Sequence, residues 1–282
     1  MSIDNQTQDN LPQEEMSFLE HLEILRWHIM RSAIAIVSFS ILAFVNVSFV
    51  FDTFLMGPKS ANFPTFRFLC WFSGKLNSWI PWLVEKNTLC IGQNLPNLQN
   101  IQMAGQFTTH IMISLFSGLI LAIPYVFWEV WRFIKPGLKE TETKFARGFV
   151  FFTSFLFLSG VSFGYFIISP LSVNFFLNYT ISADVLNIPT LAAYIGTVTT
   201  VTLACGFVFQ LPIVIYFLTK IGIVGPMLLR KFRKHAFVGC LVLSAIITPP
   251  DVFSQFLVTL PLIVLYEISI FISSRVEKKQ QI

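Results

Sequence analysis

Near the start of this 282-residue chain, an acidic pair followed by an arginine is the first candidate for binding chemistry. Glu20 and Glu23 precede Arg26, and the apolar residues between them fall on one side of an amphipathic helix. A second acidic pair, Glu140 and Glu142, alternates with threonines between two lysines. Carboxylates on an otherwise basic face attract cations, and a guanidinium fits them best because it can donate two parallel hydrogen bonds. The alternative for both segments is a solvated surface of mixed charge.

Three further polar side chains interrupt apolar segments, where ionisable groups are costly and therefore candidates for function. Glu129 stands three residues before Arg132, so an ion pair within one helical turn is available. Glu267 lies in the last apolar segment without a local partner. Gln210 stands two residues before Pro212 and follows a run of threonines in the same segment. Such a polar stripe usually joins helices, and the alternative is a groove that holds water.

Signatures of enzymes and of ATP hydrolysis are missing from the sequence. It has no P-loop, no G-x-S-x-G, no H-E-x-x-H and no EF-hand pattern. No cysteine or histidine pair has the spacing of metal ligands, and we interpret the histidines as interfacial side chains (His21, His28, His110 and His235). We therefore expect no enzymatic activity, no cofactor and no metal, and any energy source is an ion gradient or a partner.

The four cysteines divide into two pairs by their surroundings. Cys70 and Cys90 lie in one long polar and aromatic segment, where an oxidising compartment would allow a disulfide and a reducing one would leave two free thiols. Cys205 and Cys240 stand in apolar segments, and we expect them to be packing residues.

Composition places the elements that carry these residues in a membrane. The chain is 54% hydrophobic and only 12% charged, whereas soluble domains carry about 25% charged residues. Six apolar segments are long enough to be helices in lipid (29–51, 112–131, 148–169, 192–218, 236–247 and 256–272). The fold class is therefore all-α, a polytopic membrane bundle of six transmembrane helices. The last two helices are expected to be short, and residues 105–111 to prolong the second. Proline interrupts three segments, which predicts either ordinary curvature or a bowed bundle with a concave face.

Basic residues set the orientation of the bundle. Of the 19 lysines and arginines, only four lie in the long segment 52–103 (Lys59, Arg67, Lys75 and Lys86). The positive-inside rule then places this segment outside and both termini in the cytoplasm. If the two short segments instead formed a re-entrant hairpin, both termini would still be inside. The predicted organisation is a flexible tail over 1–16, the bundle over 17–275 and a second tail over 276–282.

Three segments together resemble the TatC family, the signal-receptor core of the twin-arginine protein translocase. They are FLEHLEILR at 18–26, FWEVWRFIKPGL at 127–138 and TPPDVFSQ at 248–255. Their order, spacing and topology resemble the family along 17–275. The resemblance implies a glove-shaped bundle in the bacterial cytoplasmic (inner) membrane that binds twin-arginine signal peptides of folded proteins on its cytoplasmic face.

The resemblance also implies partners and residue roles. The partners would be the lipid bilayer, single-span TatA-type and TatB-type proteins and further copies of this chain, with no nucleic acid, and transport would be driven by the proton-motive force. Glu142 falls on the family's loop glutamate that faces the signal arginines, Phe133 and Pro136 on residues that shape this site, and Arg26 on the amino-terminal arginine. The last periplasmic turn of the family matches Pro249, Pro250 and Asp251.

Departures from the family pattern bear on these roles. Ile24 stands where many members have the second glutamate of the amino-terminal site, and Glu23 is one residue, or about 100° of helix rotation, away. Glu20 or Glu140 could compensate. Gln210 replaces a buried glutamate, so a proton relay at this position is not expected. The sequence thus favours a translocase receptor, and the alternative class is a secondary transporter or channel for a small solute.

Overall fold

The computed structural model describes residues 18–79, 90–92, 95–135, 146–182, 184, 188–248 and 252–280, and every regular element among them is helical. In chain order the main helices are α1 (Phe18–Val45), α2 (Pro64–Trp79), α3 (Gly105–Ile134), α4 (Ala146–Phe163), α5 (Ser169–Asn178), α6 (Leu191–Val208), α7 (Leu211–Lys220), α8 (Pro226–Lys231), α9 (Arg233–Ile247) and α10 (Val252–Gln280). The all-α fold class is confirmed.

Five helical stretches of the described chain are long and apolar enough to cross a membrane. They are Leu22–Val45, Gly105–Ile134, Gly148–Asn178, Leu191–Lys220 and Ser254–Lys278. The second predicted segment, 112–131, lies within α3, whose more polar ends continue the helix beyond the apolar part. The third, 148–169, lies within a longer helical stretch in which a π-helical turn, Gly164–Ile168, joins α4 to α5.

The first predicted segment, 29–51, is displaced relative to α1. The helix begins much earlier, at Phe18, since the amphipathic residues before the apolar run are also helical. It ends at Val45, where the Asn46 side chain donates its Nδ2 hydrogen to the Leu42 carbonyl at 2.9 Å and the regular helix is interrupted. Irregular helical turns then carry the chain as far as Leu55.

Contacts at both ends show that α1 and α3 are antiparallel. At one end the rings of Phe44 and His110 stack with centroids 3.9 Å apart, and a ring nitrogen of His110 lies 3.0 Å from the Phe44 carbonyl oxygen. At the other end His28 contacts Glu129. The connection 46–104, which includes α2, therefore begins and ends at the same end of this helix pair.

The fourth predicted helix, 192–218, is two helices rather than one. Phe209 and Gln210 form a turn between α6 and α7, and Pro212 lies in the first turn of α7. Proline has no backbone N–H to donate, so it fits the first turn of a helix better than the interior. The helix is therefore broken before Pro212, which neither ordinary curvature nor a bowed bundle had predicted.

The two last helices differ in length. α9 has 15 residues, which corresponds to about 22 Å, and it confirms the expected short helix at 236–247. The expectation of a second short helix at 256–272 is wrong, because α10 has 29 residues. Its polar end stays helical, with the guanidinium of Arg275 held 4.3 Å from the ring centroid of Phe271.

Apolar and hydroxyl contacts share the interior between the helices. Cys205 and Cys240 belong to the same buried apolar cluster as Ile168 and Leu262, so their predicted role in packing is confirmed. Hydroxyl pairs also join neighbouring helices: Ser169 with Thr202 (3.4 Å), Ser244 with Thr259 (2.7 Å) and Thr219 with Ser273 (2.9 Å). In lipid such hydrogen bonds contribute to helix association, and Thr202 is the member of the predicted threonine stripe that takes part in these pairs.

A disulfide closes a loop within the segment that connects α1 to α3. Cys70, on α2, is bonded to Cys90, with Cα atoms 4.3 Å apart, so the disulfide and not the pair of free thiols is present. The chain then turns at Gly92, whose φ of 83° favours glycine. The Gly92 N–H donates to Oδ1 of Asn174 at 3.0 Å, and a Cβ at Gly92 would overlap the ring of Phe66. This contact fixes the second cysteine beside α2.

Candidate functional site

Glu129 is a buried carboxylate near the end of α3, with only 1% of its surface exposed. Its Oε2 lies 2.5 Å from Nδ1 of His28 on α1. Its Oε1 accepts hydrogen bonds from the Tyr125 hydroxyl at 3.0 Å and from Nη1 of Arg132 at 3.4 Å. Burial of a carboxylate is unfavourable unless hydrogen bonds and opposite charges replace water, and both oxygens have such partners here. The predicted ion pair between Glu129 and Arg132 is confirmed.

The contact between His28 and Glu129 brings together the two segments that the sequence singled out. Arg26 lies two residues before His28, and Phe133 lies one turn after Glu129. The ring of Phe133 contacts the ring of His28 edge to face, with centroids 6.1 Å apart. A partly buried polar and aromatic cluster therefore joins the beginning of α1 to the end of α3.

Glu23 and Ile24 face different surroundings on α1. Glu23 is exposed, whereas Ile24 is half-buried and lies one turn before His28 on the same side of the helix. The change of direction expected from the one-residue displacement is therefore present. Arg26 is also exposed, so Glu23 and Arg26 are both accessible at this end of α1.

Several predicted site residues lie outside the described part of the chain: Pro136, Glu140, Glu142, Pro249, Pro250 and Asp251. Glu20 belongs to α1, but its side chain is also outside the description. The binding roles of all these residues remain predictions. In the sequence, Glu142 follows Lys135, the last described residue after α3, by seven positions.

Gln210 joins two helical stretches at the break before α7. The side chain is buried, with 9% exposed, and its Nε2 donates to the Thr153 carbonyl on α4 at 3.2 Å. This hydrogen bond favours the helix-joining interpretation of the polar stripe over a water-filled groove.

Glu267 has a partner on the neighbouring helix, although the residues close to it in sequence include none. Its Oε2 accepts from Nη2 of Arg233 at 2.6 Å, and both side chains are about half exposed (47% and 52%). The pair joins the beginning of α9 to the later half of α10. It is an exposed counterpart of the buried pair at Glu129.

His28 is the functional candidate that sequence reasoning missed. The sequence predicted an interfacial side chain without a partner role, whereas only 14% of the His28 side chain is exposed and it contacts a buried carboxylate. A signal was available: His28 falls on the same helix face as Ile24 and Leu25, which is the packed face. A histidine on that face requires a polar partner from another helix.

At least five helical stretches that are long and apolar enough to cross a membrane define a multi-pass membrane protein. A family model described as Sec-independent protein translocase protein (TatC) matches residues 20–261, which is most of the chain. The chain therefore belongs to the TatC family, a receptor component of the Sec-independent, twin-arginine protein translocase.

Relatives from distant bacteria agree with this assignment. The Sec-independent protein translocase protein TatC of a Blattabacterium from Periplaneta americana is 40% identical over 266 residues, which cover 94% of this chain and 98% of that protein. The TatC protein of Carboxydothermus hydrogenoformans is 33% identical over 267 residues, covering 94% of this chain and 96% of that protein.

Two solved structures, both described as the twin-arginine translocase receptor TatC, share the fold. One is 31% identical with a TM-score of 0.67 and covers 92% of this chain and all of that one. The other, solved in the detergent DDM, is 31% identical with a TM-score of 0.69 and covers 90% of this chain and all of that one. The similarity therefore extends over the whole helical bundle.

Proposed function

We propose that this chain binds the twin-arginine signal peptides of folded proteins at the surface where α1 begins and α3 ends. The observation that carries the proposal is the contact between His28 and Glu129, which joins the two motif segments into one surface. Glu23 and Arg26 are exposed on that surface, and Glu142 follows the end of α3 by eight residues in the sequence.

Charge complementarity provides the binding chemistry. The two arginines of a signal would pair with Glu23 and Glu142, with Glu20 and Glu140 as further carboxylates and with Phe133 and Pro136 shaping the site. A charge-assisted hydrogen bond contributes roughly 1.5–3 kcal/mol when it is partly desolvated. Arginine is preferred to lysine because its fork matches a carboxylate with two hydrogen bonds.

An apolar depression on α1 lies beside the proposed arginine site. Leu22, Leu25, Ile29 and Met30 line it together with Arg26. Secretory signals place an apolar segment after their basic residues. The depression has the position and the chemistry to receive that segment while the arginines reach the carboxylates.

The proposed topology has six crossings with both termini in the cytoplasm, in a bacterial inner membrane. The antiparallel contacts of α1 and α3 and the single short α9 between two long stretches support it. In this arrangement the segment 52–103 and the turn at Pro249, Pro250 and Asp251 are periplasmic, and the proposed signal-binding surface is cytoplasmic.

Translocation itself needs other subunits. We propose single-span TatA-type and, where present, TatB-type proteins as partners, together with self-association and the proton-motive force as energy source. The chain would act as a binding and assembly subunit rather than as an enzyme. Family membership over the full bundle favours this function over a transporter or channel for a small solute.

Photo-crosslinking of a synthetic signal peptide to membranes that contain the chain tests the site. Glu142→Ala and Glu23→Ala should each reduce crosslinking severalfold, because each removes one carboxylate partner of an arginine. Glu277→Ala, which removes a carboxylate from the last turns of α10 and from neither motif segment, is the matched control and should leave crosslinking unchanged. A peptide with two lysines should crosslink weakly to the unaltered chain. Undiminished crosslinking to Glu142→Ala would remove that residue from the site.

A further inference from the structure

α2 has an inner and an outer face of different character. Its inner face carries Phe66 and Ser73, which are 2% and 0% exposed, and Cys70 of the disulfide. Its outer face carries Phe68, Trp71 and Phe72, spaced three and four residues apart along one side of the helix.

The three outer rings form one exposed apolar patch. Phe68 and Trp71 are each 59% exposed and Phe72 is 41% exposed. Phe68 stacks on Phe72 with centroids 6.2 Å apart and contacts Trp71 at 6.1 Å. With about 150–250 Å² per ring, the accessible patch is on the order of 300 Å². An aromatic patch of this size on one short helix marks an interaction surface.

The position of α2 in the fold indicates what covers the patch. The Thr65 hydroxyl donates to the Phe166 carbonyl, and the ring of Phe63 packs on the rings of Phe166 (5.8 Å) and Tyr165 (5.5 Å). Phe166 belongs to the stretch Gly148–Asn178, which is long and apolar enough to cross the membrane, and its side chain is 43% exposed. The beginning of α2 therefore lies against an exposed part of a membrane-crossing stretch, which brings the aromatic patch close to a surface that would face lipid.

The charges of α2 agree with a lipid surface. Arg67 and Lys75 are exposed, and the sequence from Pro64 to Trp79 contains no acidic residue. Lys75 lies one turn after Trp71 and Phe72, on the aromatic face itself. Aromatic rings with basic side chains beside them are typical of helices at the boundary between headgroups and acyl chains, where the basic groups reach phosphate.

We propose that α2 is an interfacial anchor that inserts Phe68, Trp71 and Phe72 into the headgroup region of the bilayer, with Arg67 and Lys75 directed to anionic lipid phosphates. The disulfide from Cys70 to Cys90 holds the inner face of α2 against the bundle, so the outer face keeps a fixed orientation toward the lipid. The anchor thus sets the height of this end of the bundle in the membrane.

Tryptophan fluorescence in vesicles of phosphatidylethanolamine and phosphatidylglycerol tests the anchor. The fluorescence of Trp71 is obtained by subtracting the emission of the Trp71→Phe variant from that of the unaltered chain. This substitution keeps an aromatic side chain on the helix. Lipids brominated close to the headgroup should quench this difference signal about twofold, and aqueous iodide should quench it little. The matched control is the difference for Trp131→Phe, whose indole is 5% exposed and should be quenched by neither.

A photoreactive phenylalanine analogue in place of Phe72 gives an independent measurement in native membranes. The proposal expects crosslinks to phospholipid, whereas the same analogue in place of the buried Phe66 should crosslink only within the chain. Crosslinks from position 72 to a second protein would show that a protein rather than lipid covers the patch, and would overturn the proposal. Quenching of Trp71 by iodide and not by brominated lipid would overturn it as well.

Discussion

Nδ1 of His28 lies 2.5 Å from Oε2 of Glu129, across 101 residues of sequence. His28 follows the first motif of the chain, and Glu129 lies within the second. The carboxylate is 1% exposed, whereas Glu23 and Arg26, five and two residues before His28, are accessible. A buried polar contact thus fixes the relative position of two accessible binding segments.

Removing the carboxylate should destabilise the protein strongly. Glu129→Ala leaves the largely buried His28 without its acceptor and removes the partner of Arg132, which is half exposed, and an unsatisfied buried polar group costs about 1–3 kcal/mol. The unfolding midpoint in detergent, followed by tryptophan fluorescence, should fall accordingly. Crosslinking of a twin-arginine signal peptide should fall too, because the end of α1 is no longer fixed against α3.

Tyr125→Phe is the matched control for this prediction. It removes one neutral donor to the same carboxylate from a partly exposed side chain and should lower the unfolding midpoint much less than Glu129→Ala does. The effects of His28→Ala and Glu129→Ala should also be less than additive in the double variant, since both remove one contact. Equal midpoints for Glu129→Ala and Tyr125→Phe would contradict a structural role for the ion pair.

Close packing of α1 on α3 should make Gly118 intolerant of a side chain. A Cβ at Gly118 would overlap the backbone of Ser40, which cannot move aside as a flexible side chain can. Gly118→Ala should therefore cost about 1–3 kcal/mol through overpacking. A Cβ at Gly196, within α6, would meet no atom within 4 Å. Gly196→Ala should be neutral or stabilise the helix by about 0.5–1 kcal/mol. Similar unfolding midpoints for the two variants would contradict this packing.

The fold class was predictable because the length of an apolar segment measures contact with lipid. The length of the apolar segment misplaced the helix ends, because helical backbone hydrogen bonds continue through polar residues at either end of the apolar part. α10 is the clearest case, because its helix extends to Gln280 although its apolar part ends near Ile272. The break before Pro212 needed the structure, because proline alone allows both a bend and a new helix.

The candidate site was predictable only where partners are close in sequence. Spacing predicted the pair of Glu129 with Arg132, which are three residues apart. Spacing could not predict His28 or the pair of Arg233 with Glu267, because these contacts depend on how helices pack. For Cys70 and Cys90 the sequence allowed either a disulfide or two free thiols, because it does not give the distance between the two side chains.

Glu267→Gln should have a small effect, in contrast to Glu129. The pair of Glu267 with Arg233 is about half exposed, and exposed ion pairs contribute about 0–1 kcal/mol. The unfolding midpoint should change little and should change less at high salt, because salt screens exposed charges. A loss as large as that of Glu129→Ala would mean that lipid rather than water surrounds the pair.

Counting thiols should distinguish the two cysteine pairs. Cys70 and Cys90 are disulfide-bonded, and Cys205 and Cys240 are free and buried. Of the 4 cysteines, only the buried two should react with maleimide in denatured, unreduced protein, and all should react after reduction. The control Cys205→Ala/Cys240→Ala should show no reactive thiol until it is reduced.

Replacing Cys70 and Cys90 by serine should accelerate amide hydrogen exchange in α2, because closure of a loop of this size contributes about 3 kcal/mol. Complete labelling without reduction would show that the bond is absent from the purified protein, and unchanged exchange would show that it does not hold α2.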